Sequence, residues 1–176
     1  MLESIIDFSW TLFLDRDGVI NKRLFGDYIK NIDEFEFENG VLDFLKFANK
    51  KFHKIIIITN QQGVGKGIMS EADLLEIHSF MINAVISNGG RIDKIYYATN
   101  LKGSSVDIRK PSTYMGDQAV NDFPSIDLKK SLMIGDTNSD ILFGNNLGMK
   151  TILVQSKEIV TLQPDYKIQN LSELIF

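Results

Sequence analysis

The sequence contains no cysteine, only two histidines and no apolar run that approaches the length of a membrane span. Without cysteine, neither a disulfide nor a thiolate zinc site can form, and two histidines cannot build a histidine-rich metal centre. His53 and His78 are therefore interpreted as surface or helix-flank residues without a role. Any metal that the protein binds is expected to be held by oxygen atoms.

A secretion signal and a general basic surface are also missing. Glu3 and Asp7 interrupt residues 1–10, which lack the basic segment and the long apolar core of a signal peptide. The formal net charge of −4 shows no general basic footprint for a nucleic acid. These features predict a soluble, cytoplasmic protein without a membrane partner, and they disfavour nucleic acid. Whether it is a monomer or a small homo-oligomer stays open.

The pattern of apolar residues predicts the fold class. A length of 176 residues with 44% hydrophobic content suits one globular domain with a real core. Unbroken apolar runs, as expected for buried parallel strands, alternate with segments of helical periodicity. This alternation predicts an α/β fold with a mostly parallel sheet and right-handed crossovers. The predicted strands cover residues 10–14, 54–60, 92–98, 128–135 and 150–154.

The first strand ends in two carboxylates, Asp15 and Asp17, which flank Arg16 and precede Gly18. In an open parallel sheet, residues at the carboxyl ends of strands border a crevice. One aspartate can attack a substrate while the other moves protons, and their shared charge favours a hard cation such as magnesium. The same residues would also suit a strand cap and turn, so this motif alone does not decide the function.

Three further strand ends decide between these interpretations. They carry, or lead through a loop to, Thr59 and Asn60, Arg109 and Lys110, and Asp136 and Asp140. Carboxylates, a hydroxyl, amides and a lysine are the groups that phosphoryl transfer requires, because an aspartate is repelled by a phosphate ester unless positive charge offsets both. Asp15 and Asp136 can share a cation only if their strands are neighbours, which places the site where the winding of the sheet reverses.

The ordered motifs resemble those of haloacid dehalogenase (HAD) type phosphatases. The residues that carry this resemblance are Asp15-x-Asp17-Gly18, Thr59, Lys110 and Gly135-Asp136-x-x-x-Asp140. A narrower resemblance, to the branch of heptose-bisphosphate and histidinol-phosphate phosphatases, rests on Asp15–Asn21, Phe35-Glu36-Phe37, Thr59-Asn60-Gln61-x-Gly63, Gly67 and Arg109-Lys110-Pro111. The resemblance implies a Rossmann-like three-layer sandwich with a minimal cap or none, and a single HAD-like phosphatase domain over residues 1–176.

The resemblance also implies residue roles. Asp15 would be the nucleophile that forms an aspartyl-phosphate, and Asp17 the general acid and then the base. Asp15, the backbone carbonyl of Asp17, and Asp136 would bind Mg²⁺, and Asp140 would position Lys110 or a metal-bound water.

The remaining implied roles concern the phosphoryl group and the substrate. Thr59 and Asn60 would hydrogen-bond the transferring phosphoryl group, and Lys110 would offset its charge. Gln61 and Arg109 would reach the rest of the substrate.

The implied substrate is a small phosphorylated metabolite. A sugar bisphosphate such as D-glycero-D-manno-heptose 1,7-bisphosphate is favoured. Histidinol phosphate and the 3′-phosphate of a polynucleotide are alternative substrates, and a catalytically silent phosphate-binding module is an alternative of another class.

One departure from the branch concerns zinc. Many members carry three cysteines and a histidine before the Arg-Lys-Pro segment, where this chain has Ala98, Asn100, Val106 and Ile108. No zinc is expected there, and we hypothesise that Val106 and Ile108 pack inward in its place.

Overall fold

The structure, a computed structural model, describes residues 4–176. Within them, a parallel sheet is the central element, and the predicted second and fifth strands are confirmed. The strands are β1 Thr11–Leu14, β2 Lys54–Asn60, β3 Lys94–Ala98, β4 Ser131–Gly135, β5 Lys150–Val154 and β6 Tyr166–Ile168. Their order is β3-β2-β1-β4-β5-β6, and every neighbouring pair is parallel.

Helices cover both faces of this sheet. The α-helices are α1 Val41–Lys51, α2 Gln62–Gly65, α3 Glu71–Ser87, α4 Tyr114–Asp122 and α5 Asn138–Asn146. Short 3₁₀ segments span Ile32–Glu34, Leu128–Lys130 and Leu171–Leu174. Among the described residues, no helix is both long and apolar enough to cross a bilayer.

The strands are apolar on both faces because each face packs on a helical layer. Leu12 and Leu14 belong to the hydrophobic cluster formed with α1 and α3, whereas Phe13 belongs to the cluster formed with α4 and α5. Alternate side chains of a strand point to opposite faces, so a strand between two layers has no polar face. The predicted three-layer α/β fold is confirmed.

The order of the strands positions the site. The central strand β1 pairs with β2 on one side and with β4 on the other, and Leu14 is in register with Ile134. The chain therefore brings Asp15 and Asp136 to neighbouring strand ends, at the point where the direction of winding reverses, as the sequence predicted. The segment 20–38 covers one side of this strand edge. An antiparallel bridge between Asn21 and Phe37 joins the two ends of the segment.

Four elements differ from the sequence prediction. The first and third strands begin at Thr11 and Lys94, one and two residues later than predicted. The fourth strand begins at Ser131, because Leu128–Lys130 forms a 3₁₀ turn, and β6 was not predicted. β6 has three residues, of which Ile168 is buried, and it extends the sheet by pairing with β5. Three residues are too short for an alternating pattern to stand out in the sequence.

Candidate active site

Asp15 and Lys110 form the centre of the site. Asp15 follows β1 and is 5% exposed, and its Oδ1 lies 2.8 Å from Nζ of Lys110. The ammonium group also lies 2.6 Å from Oδ1 of Asp140 and donates to the carbonyl oxygen of Ile58. One buried cation is thus shared by two buried carboxylates.

Burial and neighbouring charges shift the titration of this pair. Burial raises the pKa of Asp15 to about 6, although the Lys110 ammonium acts in the opposite direction. Burial alone would lower the pKa of Lys110, but the carboxylates of Asp140 and Asp15 outweigh that effect and hold the pKa above its ordinary value. Lys110 therefore stays protonated at neutral pH and keeps its charge beside Asp15.

Asp17 is held by three side chains. Its Oδ1 accepts from Nη2 of Arg16 and Nδ2 of Asn21, each at 2.9 Å, and its Oδ2 accepts from Nε2 of Gln61 at 2.7 Å. Burial would raise the pKa of Asp17, but Arg16 and these hydrogen bonds hold it below its ordinary range. Asp17 is consequently a carboxylate in the free protein, and its orientation is fixed.

The polar residues at the end of β2 hold other residues of the site. Gln61 is buried and donates to Oγ1 of Thr59 as well as to Asp17. Asn60 forms two hydrogen bonds with the backbone of Lys110, accepting from its N–H and donating to its carbonyl oxygen. Asn60 thereby fixes the position of the segment that carries Lys110.

Asp136 and Asp140 complete the carboxylate cluster. Asp15, Asp136 and Asp140 each offer an oxygen, and these oxygens lie within 4.8 Å of one another. The second oxygen of Asp140 accepts from the backbone N–H of Asp136 and from the N–H and hydroxyl of Thr137, as part of the capping box that begins α5. These hydrogen bonds fix the Asp140 carboxylate, and its other oxygen holds the ammonium group of Lys110.

Asp136 is suited to a hard cation. It is fully buried, and among the described residues no group forms a hydrogen bond with its Oδ2. Burial and then the nearby Asp15 carboxylate raise the pKa of Asp136 to about 8, so the carboxylate form of Asp136 lacks sufficient positive charge beside it at neutral pH. An unpartnered buried oxygen among carboxylates fits Mg²⁺, which prefers oxygen ligands.

The site opens into a cleft of about 420 Å³. The residues that border it include Asp15, Asp17, Arg23, Tyr28, Asn60, Gln61, Lys66, Arg109, Lys110 and Glu158. Arg109 also binds both carboxylate oxygens of Asp107, at 2.9 and 2.6 Å. Every candidate residue predicted from the sequence therefore lies in this cleft or directly behind it.

Comparisons with known proteins agree with this geometry. A D-glycero-alpha-D-manno-heptose-1,7-bisphosphate 7-phosphatase of Campylobacter jejuni is 32% identical over 164 residues, which cover 93% of this chain and 92% of the relative. The chain belongs to the HAD-like hydrolases. The HAD-hydrolase-like family model matches residues 107–174 of this HAD-like phosphatase. The family and enzyme class implied by the motifs are thus confirmed.

Two further proteins are similar to this HAD-like phosphatase. A D-glycero-beta-D-manno-heptose-1,7-bisphosphate 7-phosphatase of Helicobacter pylori is 31% identical, over 93% of this chain and 94% of the relative. A crystal structure of the D,D-heptose 1,7-bisphosphate phosphatase of B. bronchiseptica, complexed with magnesium and phosphate, has a TM-score of 0.85 at 23% identity and covers 94% of this chain and 96% of that one. The latter comparison shows the same fold.

The loop before Arg109 differs in part from the hypothesis. Ile108 is half-buried and packs against the cluster on the α4 and α5 face, as expected. Val106 is 67% exposed, so the inward packing predicted for it is wrong. The backbone carbonyl of Val106 instead accepts hydrogen bonds from the side chains of Asn100 and Ser104, which hold the loop through polar contacts.

Three site residues had no predicted role. Arg23 contacts Asp136 and the carbonyl oxygen of Asp17, and Asn21 donates to Asp17. His78 is buried, not a surface residue, and its Nε2 lies 3.3 Å from Nη1 of Arg16. For Asn21 and Arg23, their position in the segment directly after Asp17 was the available signal. His78 lies on α3 and carried no such signal, since only the tertiary fold brings it to Arg16.

Proposed function

We propose that the protein hydrolyses phosphomonoesters with Mg²⁺ through an aspartyl-phosphate on Asp15, and that a sugar bisphosphate is its substrate. The observation that carries this proposal is the buried cluster in which Lys110 lies between Asp15 and Asp140, while Asp136 directly follows the neighbouring strand β4. A nucleophile, a fixed cation beside it and spare oxygen ligands are the parts that phosphoryl transfer needs.

In the first step, a carboxylate oxygen of Asp15 attacks phosphorus and the ester P–O bond breaks. The leaving alkoxide takes a proton from Asp17. The carboxylate form of Asp17 must therefore gain a proton when substrate binds, and the negative phosphoryl group beside it raises its pKa in that direction. In the second step, Asp17 accepts a proton from water as the water attacks phosphorus. The P–O bond to Asp15 then breaks and releases phosphate.

The remaining residues stabilise the phosphoryl group and hold the machinery. Lys110 places positive charge beside Asp15, where charge builds up on the phosphoryl oxygens. Asp15, Asp136 and the carbonyl oxygen of Asp17 would hold Mg²⁺, with Asp140 fixing Lys110. When bound, Mg²⁺ supplies charge that offsets the repulsion between the phosphate and Asp15. The hydroxyl of Thr59 and the amide of Asn60 contribute hydrogen bonds at the end of β2.

The cleft supports a substrate with a second anionic group. Arg109 and Lys66 border the cleft beside the reacting centre, and each can bind a phosphate that is not being transferred. The relatives are named for the alpha and the beta anomers of D-glycero-D-manno-heptose 1,7-bisphosphate. We propose this bisphosphate as the substrate and its 7-phosphate as the group removed.

The test is phosphate release with and without Mg²⁺ from the wild type and the Asp15→Asn variant. Asp43→Asn serves as the matched control, because Asp43 is an exposed aspartate on α1. The substrates are both anomers of the heptose bisphosphate, histidinol phosphate and a 3′-phosphorylated oligonucleotide. We expect Mg²⁺-dependent release, with kcat/KM highest for one heptose anomer, and background release by Asp15→Asn. Equal release by wild type and Asp15→Asn would instead identify a binding module.

A further inference from the structure

Arg23 contacts the three residues that would bind the divalent cation. Its Nη2 lies 2.9 Å from the carbonyl oxygen of Asp17, 2.9 Å from Oδ1 of Asp136 and 3.8 Å from Oδ2 of Asp15. Its Nε lies 3.2 Å from the same carbonyl oxygen. A single guanidinium group therefore faces one oxygen from each of three residues that come from two neighbouring strand ends.

A magnesium ion would compete with this guanidinium, above all for the carbonyl oxygen of Asp17, which is the one oxygen that this carbonyl group offers. Mg²⁺ binds its ligands at about 2.0–2.1 Å and needs near-octahedral geometry, so it must lie between the oxygens that it joins. The carbonyl oxygen of Asp17 already accepts from Nη2 and Nε of Arg23, and Oδ1 of Asp136 accepts from the same Nη2, while Oδ2 of Asp136 has no hydrogen-bond partner among the described residues. Two positive groups in that space would also repel each other. Binding of the cation thus requires the guanidinium to leave.

The other end of the Arg23 side chain has a partner of its own. Its Nη1 lies 3.1 Å from Oε1 of Glu158, which is on the segment after β5 and borders the same cleft. The Arg23 side chain is 21% exposed and that of Glu158 is 39% exposed, so the pair lies toward solvent. Glu158 offers the guanidinium a carboxylate to hold outside the cation site when it leaves the three oxygens.

We propose that Arg23 is an internal competitor of Mg²⁺: its guanidinium occupies the cation position, balances the carboxylate cluster, and must move toward Glu158 before the metal binds. This inference rests on the metal site of the proposed function. Since charge-assisted hydrogen bonds to Asp136 must be broken, Arg23 lowers the affinity for the cation. It also stabilises the metal-free protein, because it reduces the repulsion between Asp15 and Asp136.

The test is calorimetric titration of Mg²⁺, without substrate, into wild type, Arg23→Gln and Lys66→Gln. Lys66→Gln is the matched control, because it removes one positive charge from the same cleft, where Lys66 lies over the Tyr28 ring. We expect Arg23→Gln to bind Mg²⁺ about 10- to 100-fold more tightly than wild type, the factor that one charge-assisted hydrogen bond provides. The Mg²⁺ affinity of Lys66→Gln should stay within about 3-fold of that of wild type, because Lys66 forms no contact with the oxygens that would bind the metal.

A second measurement uses the wild type and so does not depend on the folding of a variant. Arginine-directed labelling with phenylglyoxal, followed by peptide mass mapping, is compared with and without Mg²⁺. Labelling of Arg23 should increase with Mg²⁺, while Arg109 serves as the internal reference. The inference would be overturned if wild type and Arg23→Gln bound Mg²⁺ with equal affinity, or if the extent of Arg23 labelling were the same with and without Mg²⁺. Neither result would contradict the proposed reaction. No Mg²⁺ binding in any of the three proteins would overturn the metal site itself.

Discussion

Replacing Lys110 by methionine tests the charge balance of the site. Methionine keeps much of the length of the side chain and removes its charge. The Lys110 side chain is 2% exposed, and its partner carboxylates in Asp15 and Asp140 are 7% and 0% exposed, at 2.8 and 2.6 Å. Removing one partner of a buried ion pair costs about 3–5 kcal/mol, because the remaining charge is left uncompensated. That is a large fraction of the roughly 5–15 kcal/mol that stabilises a domain.

The loss of folding stability in Lys110→Met should increase with pH. Without Lys110, the raised pKa of Asp15 rises further above its value of about 6. A carboxyl whose pKa is raised on folding loses stability as pH increases through the folded value, because the folded protein must then bury a charge. The destabilisation of Lys110→Met is therefore expected to be larger at pH 8 than at pH 5, where the carboxyl can be protonated.

The assay is urea-induced unfolding with a chelator present, at pH 5 and pH 8. Lys102→Met is the control, since Lys102 is exposed, and its free energy of unfolding should stay within about 0.5 kcal/mol of wild type. In the presence of Mg²⁺, turnover by Lys110→Met should fall on the order of 10²-fold or more. A loss of stability below about 1 kcal/mol at pH 8, or an equal loss at both pH values, would refute the reasoning.

Two further predictions concern Gly18 and His78. Gly18 has φ +92°, and a Cβ there would lie 2.3 Å from Oδ2 of Asp136, so Gly18→Ala should lower both the stability and, by calorimetry, the Mg²⁺ affinity. Gly67→Ala, at φ +68° with open space, should lower stability alone; equal Mg²⁺ affinity in the two variants would contradict this reasoning. Burial, and then Arg16, lower the pKa of His78 to about 3, so the unfolded state binds an extra proton below about pH 6.5. Wild type should therefore lose stability on acidification faster than His78→Gln, by up to about 1.4 kcal/mol per pH unit in denaturant titrations, and parallel curves would rule this out.

The sequence alone determined the architecture and the residues of the candidate site. Apolar runs such as residues 54–60 can be buried on both faces only in a covered parallel sheet, and a strand that ends in Asp15 and Asp17 presents them at the sheet edge. Both patterns are formed by residues that are consecutive in the sequence. The predicted closeness of Asp15 and Asp136 followed from them because parallel strand ends meet at one edge.

Only the tertiary structure decided which side chains hold one another. The contacts of Arg23 with Asp136 and Glu158 span 113 and 135 residues, and that of His78 with Arg16 spans 62. No periodicity in the sequence encodes such pairs, because they depend on the packing of several elements at once. The exposed position of Val106 has the same origin. The sequence named the groups that can do the chemistry, and the fold decided which charges they face.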